Sequence, residues 1–145
     1  MAASSRSPRS RARRSALQAL YQWQMTGQSP DSIAEQFHDA RPRRHMDEET
    51  FSELLQGVPA RVEQLDARLA PFLDRPIAQV DAVERAILRM GAFELTERKD
   101  VPWRVVINEY VELAREFGAE QSHRYVNGIL DSLAHSVRDA SRRTG

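Results

Sequence analysis

The sequence predicts an all-α protein of about seven helices, on three observations. Apolar residues recur at spacings of three and four along nearly the whole chain. Helix start and stop residues bracket those stretches. No convincing apolar–polar alternation of the kind strands need, and no sequence repeat, occurs anywhere. With 145 residues the chain is one domain's worth, long enough to bury a core, and a single compact unit is expected. The expected organisation is a disordered basic lead over 1–10, a helical domain over 11–139 and a flexible tail over 140–145.

The first helix is marked by Ala16, Leu17, Leu20 and Trp23 on one side, Arg11, Arg14, Gln18 and Gln22 on the other, and Gly27 at its end. Ser29, Pro30 and Asp31 look like a capping residue followed by proline in the first turn, opening a short helix that buries Ile33 and Phe37. After the loop ARPRRH, the residues Phe51, Leu54, Leu55, Val58, Val62, Leu65 and Leu69 form one amphipathic stripe. Pro59 cuts across it, so the helix either kinks there or stops at Gly57 and restarts. PFLDRP reads as a turn.

The segment DAVERAILRMGAFELTER opens with Asp81 and, three residues on, Glu84, a reciprocal capping pattern. It is apolar nearly all round, with Arg85, Arg89 and Thr96 as its polar strip, and should be the central, most buried helix. Glu84 falls in an apolar sector, where its charge needs a partner: either the cap or a basic group of another molecule. Glu94 should bond inside the fold. A further helix starts at Pro102, with Val106, Tyr110, Leu113 and Phe117 on one face and Gly118 at its end. The last, around Ser122 to Arg138, buries Val126, Ile129, Leu130, Leu133 and Val137. Asn108 and Asn127 either tie helices together as buried polar groups, or Asn127 with Gly128 permits close helix approach.

The acidic and basic residues balance at 21 each, but they are unevenly placed. Residues 6 to 24 contain five arginines and no acid; removing Arg6, Arg9, Arg11, Arg13 and Arg14 leaves 16 basic against 21 acidic residues, a net charge of −5. An arm that meets a polyanion, joined to a body that faces something else, fits this asymmetry. Lys99 is the only lysine, so the charge is carried by guanidinium groups, whose planar fork suits phosphate.

Catalytic signatures are scarce. There is no cysteine, and hence no disulfide, thiolate nucleophile or cysteine zinc site. Neither G-x-G-x-x-G, a P-loop, H-E-x-x-H nor G-x-S-x-G occurs, and His38, His45, His123 and His135 stand apart. Asp47, Glu48 and Glu49 sit where acids favour a helix start. No apolar run reaches the length of a membrane span. The expectations are no metal, no cofactor, no enzymatic activity and a cytoplasmic location.

Binding features are stronger. Arginines continuous with a helix can track a phosphate backbone, at a cost in salt sensitivity: five contacts to a single strand, at about 0.7 each, give a log–log slope near −3.5. Trp103, Phe117 and Tyr125 lie on the last two helices near Arg104, His123 and Arg124, where exposed rings would stack bases. Phe117 is expected mostly in the core; partial exposure of Trp103 and Tyr125 is left open.

The pieces RRSALQALYQWQ, VERAILRMGAFEL and VPWRVVINEYVELAREFGAEQSHRYVNGILD resemble the NusB family of bacterial transcription antitermination factors, from about Arg9 to Val137. The resemblance implies two packed helical bundles, no cofactor and no catalysis. It implies a heterodimer with NusE, a small-subunit ribosomal protein, that binds the boxA element of nascent ribosomal RNA and supports the RNA polymerase antitermination complex. By matching position, Arg9, Arg11, Arg13, Arg14, Trp103, Phe117, Gln121, Arg124 and Tyr125 are the expected RNA contacts, and Tyr21, Phe72 and Glu84 the expected NusE contacts. Ser10 interrupts the basic run, and Gln121 stands where some relatives carry an acid. A homodimer competes with NusE for any exposed apolar patch. Two alternatives stand beside RNA binding: a pure protein adaptor docking its arm on an acidic partner, and the methyltransferase-linked use of NusB-like domains, for which a chain ending at Gly145 is expected to be too short.

Overall fold

A computed structural model describes residues 6–40 and 45–144, with side chains through 39 and from 45 to 138. Among the described residues there are seven α-helices and no strand: α1 Pro8–Thr26, α2 Pro30–Ala40, α3 Glu48–Ala60, α4 Val62–Leu69, α5 Ala82–Glu97, α6 Trp103–Phe117 and α7 Ser122–Thr144, with short 3₁₀ turns at Ala70–Phe72 and Ile77–Gln79. The expected helical class stands. The chain divides into two compact units, Met1–Ala60 and Arg61–Gly145.

In the first unit α1 packs on α2 and α3, and α2 on α3. Helix α1 begins inside the segment read as a disordered lead. Ser7 is its cap, its hydroxyl accepting from the Ser10 amide at 3.0 Å, and Pro8 fills the first turn where a missing N–H costs nothing. Gly27 ends the helix in the left-handed conformation, φ 73°, with its N–H on the Trp23 carbonyl. Ser29 caps α2 through the Ser32 amide, as its sequence suggests. Asp47 caps α3, accepting from the Glu49 and Thr50 amides and from the Thr50 hydroxyl. Ile33, Phe51, Leu54, Leu55 and Val58 join Ala12, Ala16, Leu17 and Leu20 as buried residues, while Phe37 is half-buried with its ring 5.8 Å from Phe51.

Pro59 neither kinks mid-helix nor stops the helix at Gly57. It sits in the last turn of α3, and the break comes at Arg61, φ −117°, before α4 resumes. A proline so near the helix end removes one N–H from the terminal turn and leaves the preceding ladder intact. The loop ARPRRH lies largely outside the described residues.

In the second unit α5 is the central helix, with α4, α6 and α7 packed against it. Ala86, Ile87, Leu88 and every residue from Met90 to Leu95 are buried. The Glu94 carboxylate accepts from the Tyr110 hydroxyl, an internal bond of the kind expected. Arg89 forms a forked pair with Asp66 of α4, at 2.9 and 2.8 Å. The close-approach glycine is Gly91, not Gly128: a Cβ at Gly91 would meet Leu130 Cδ1 at 2.7 Å, whereas one at Gly128 would enter open space. Asn108 and Asn127 are exposed and tie no helices together.

Helix α7 continues past the expected tail boundary to Thr144, with no glycine or proline before that point to end it. Its Arg138 is buried. The guanidinium donates to the carbonyls of Leu95 at 3.0 Å, Val101 at 2.8 Å, and Glu94 and Arg98 at 3.2 Å each. Burial lowers its pKa from the ordinary value, and the charges of Asp100 and Glu94 act the other way. These carbonyls belong to the C-terminal end of α5 and the turn after it, where helical amide partners run out; those of Glu94 and Arg98 also accept the amides of Arg98 and Val101. Arg138→Ala should therefore lower stability by about 2–3 kcal/mol in urea unfolding, and Arg138→Lys should recover only part, since it restores charge without the fork.

Candidate nucleic-acid interface

The arginine arm is the first turns of α1, and its guanidinium groups are not equivalent. Arg9 is exposed and pairs with Asp47 at 3.6 Å. Arg11 donates to the backbone carbonyls of Arg6 and His45, leaving its charge uncompensated by those contacts. Arg14 is half-buried. Arg13 is 3 % exposed and faces inward, a correction to its expected place on the RNA surface. The reason is its register: Arg13 lies three and four residues before Ala16 and Leu17, so it shares their buried face. The helical wheel carried that signal. Tyr21, an expected NusE contact, lies further along α1 and is 39 % exposed, with Met25 one turn on at 55 %.

The electrostatics of Asp47 follow from its cap. Burial raises its pKa, but the Thr50 and Glu49 amides, the Thr50 hydroxyl and the charge of Arg9 outweigh that and leave it below its ordinary value of 3.8. A carboxyl lowered in the fold stabilises above its unfolded pKa and loses that contribution as pH falls through the folded value. The cap beneath the arm is therefore intact across the neutral range.

In the second unit, the end formed by the C-terminus of α6 and the start of α7 gathers most of the remaining expected residues. Gln121 and Arg124 are exposed; Phe117 and Tyr125 are half-buried. The Ser122 hydroxyl donates to Glu84, so the capping pattern at α5 is only half used: Asp81 accepts from the Val83 and Glu84 amides, while the Glu84 carboxylate turns to α7. Half-buried Phe72 belongs to the 3₁₀ turn Ala70–Phe72, which packs on α7. Expected RNA and NusE contacts are thus neighbours here.

Tyr125 is held by a pair of residues far away in the chain. Its hydroxyl donates to Asp74 at 2.9 Å, Arg75 forks onto the same carboxylate at 2.9 and 2.8 Å, and the Arg75 guanidinium lies 5.5 Å from the Tyr125 ring centroid. Arg75 and then Tyr125 bond the Asp74 carboxylate and hold its pKa below 3.8. Burial, then the bond and charge of Asp74, raise the Tyr125 phenol above 10.0. The pairing spans 51 residues of sequence, and only an Asp-Arg dipeptide in a turn marks it beforehand.

Trp103 is not part of this cluster. It begins α6 while Phe117 ends it, so the two are about 21 Å apart at a rise of about 1.5 Å per residue. At that other end Arg104 lies over the Trp103 ring at 4.4 Å, and the His135 ring meets it edge-on at 5.6 Å.

A family model described as the NusB family matches residues 10–135. The chain belongs to the NusB family. It is 57 % identical over 136 residues to the transcription antitermination protein NusB of Nitrosococcus oceani, covering 94 % of this chain and 91 % of that protein. It is 53 % identical over 139 residues to the protein so named in Alcanivorax borkumensis, covering 94 % and 93 %. Among solved structures, T. maritima NusB superposes with a TM-score of 0.81 at 26 % identity, over 95 % of this chain and 99 % of that one. Among the described residues no three histidine or acidic side chains cluster to hold a metal, and no helix is long and apolar enough to cross a membrane.

The Asp74 bond gives this NusB-family chain a measurable signature. Asp74→Asn should bring the Tyr125 phenol down toward 10, because it removes the negative charge that opposes ionisation, while burial continues to hold it up. An NMR titration of the Tyr125 ring from pH 8 to 12 reads this directly.

Proposed function

We propose that this chain serves transcription antitermination by gripping single-stranded boxA RNA together with NusE. The arm supplies attraction that is indifferent to sequence, and the Phe117 to Tyr125 end supplies base contacts. The single observation that supports this most is the held aromatic at the second unit's exposed end. Tyr125 is fixed by Asp74 and flanked by Arg75 and Arg124, so a base could stack while cations meet phosphate. NusE would dock beside it on Phe72 and Glu84, with Tyr21 as its contact in the first unit. The factor would act in the cytoplasm, as part of the RNA polymerase antitermination complex, as a regulator and not a catalyst. A second copy of the chain would compete with NusE for the exposed Tyr21 and its neighbour Met25.

With Arg13 buried, four of the five arginines remain to meet phosphate, so log affinity should fall with log salt at a slope near −2.8, taking about 0.7 per contact. A fluorescence titration of boxA RNA across salt, with and without NusE, measures it. Arg9→Ala with Arg14→Ala should weaken boxA and scrambled RNA alike. Tyr125→Ala should cost boxA about 1–3 kcal/mol and scrambled RNA less. A salt-independent affinity, or equal losses on both RNAs in the tyrosine variant, would contradict the reading.

A further inference from the structure

The groove between α6 and α7 at the Trp103 end has no part in the cluster around Tyr125. Its volume is about 470 Å³, and it is lined by Trp103, Arg104, Asn108, Asn127, Asp131 and His135, with Ile107 and Val111 as an apolar wall. Clefts of about 300–1,000 Å³ hold small ligands, and this one has room for a nucleotide. We propose that it is a second nucleotide site, one that seats a base carrying an exocyclic amine, adenine above uracil. The idea rests on the RNA-binding reading above, in which Trp103 is an expected RNA contact, and adds the groove around that ring and a base preference.

The chemistry comes from each wall. The Trp103 indole is a stacking face, and its present cover is the Arg104 guanidinium at 4.4 Å, an exposed cation–π contact that is cheap to exchange. A base taking that place releases Arg104 to the phosphate. His135 meets the indole edge-on and is itself anchored, its Nδ1 donating to the Asp131 carbonyl at 2.8 Å. Asn108 and Asn127 are exposed side chains on facing helices, each with a carboxamide that offers one donor edge and one acceptor edge, as an adenine Hoogsteen edge requires. The Asp131 carboxylate only accepts. It favours an amine and repels a carbonyl, which discriminates against uracil. A guanidinium, two carboxamides and one ring in a small cleft suit a nucleotide better than an apolar side chain of a protein partner.

The test is an NMR titration of the full chain with adenosine 5′-monophosphate and uridine 5′-monophosphate, following the Trp103 indole N–H and the His135 ring. Saturable shifts are expected with the adenine nucleotide, binding at least about fivefold tighter than the uracil one. Asp131→Ala removes the acceptor that discriminates and should bring the two nucleotides to nearly equal affinity, while the double variant Asn108→Ala, Asn127→Ala, which truncates exposed side chains and so should fold, should weaken both. Equal binding to the native chain, a preference that survives Asp131→Ala, or shifts produced by an acidic peptide and not by the nucleotide would each overturn the proposal. If boxA RNA binds with NusE while the adenine nucleotide moves neither resonance, the groove proposal falls alone. If the nucleotide seats here and no RNA binds, the boxA reading falls and this site stands.

Discussion

A helix buried on nearly every side must have its polar groups answered from within, and α5 imposes that constraint on the whole second unit. Its C-terminal carbonyls receive the buried Arg138 of α7, and its buried Glu94 receives the Tyr110 hydroxyl of α6. These bonds have directional demands that apolar packing lacks, and so they fix how α6 and α7 lie on the central helix. Gly91 adds a steric requirement, since α5 and α7 touch where any larger residue would strike Leu130. The positions of Trp103, Phe117 and Tyr125 follow from this arrangement, because all three are carried on the two helices that α5 orients.

The two ends of α6 then have different characters. At one, Asp74 and Arg75 reach over from the turn before α5 and hold Tyr125 by its hydroxyl and its ring. At the other, the groove beside Trp103 is lined by side chains of α6 and α7 alone. A ring held in place loses less entropy on stacking than a mobile one, which is the advantage of pre-organisation in any binding surface. The arm differs. Arg11 rests on backbone carbonyls and keeps its charge, whereas exposed Arg9 pairs with half-buried Asp47; in the proposed reading it would exchange that partner for phosphate at small cost, because pairs open to water contribute little.

Much of this was legible in local patterns. The buried character of α5, the Ser29 cap, the Gly27 stop and the internal role of Glu94 all follow from spacing and residue type. Two errors came from applying a sound rule unevenly. Ser7 and Pro8 repeat the Ser-Pro start seen at Ser29 and Pro30, yet sit in a polar stretch that resembles a disordered lead. Arg13 has the register of a core residue, and its charge concealed it. Gly128 and Asn127 failed for another reason: nothing local tells which glycine of two helices faces a neighbour, and Gly91 does so here.

The sequence by itself determined the helices, their caps, the uneven charge and the membership of the NusB family, because each depends on residues within a turn or two, or on motifs read in order. Tertiary structure alone decided that Arg138 closes the end of α5 and that Asp74 holds Tyr125. Those contacts join residues some 40 to 50 positions apart. Only packing, which acts through space and not along the chain, sets such distances.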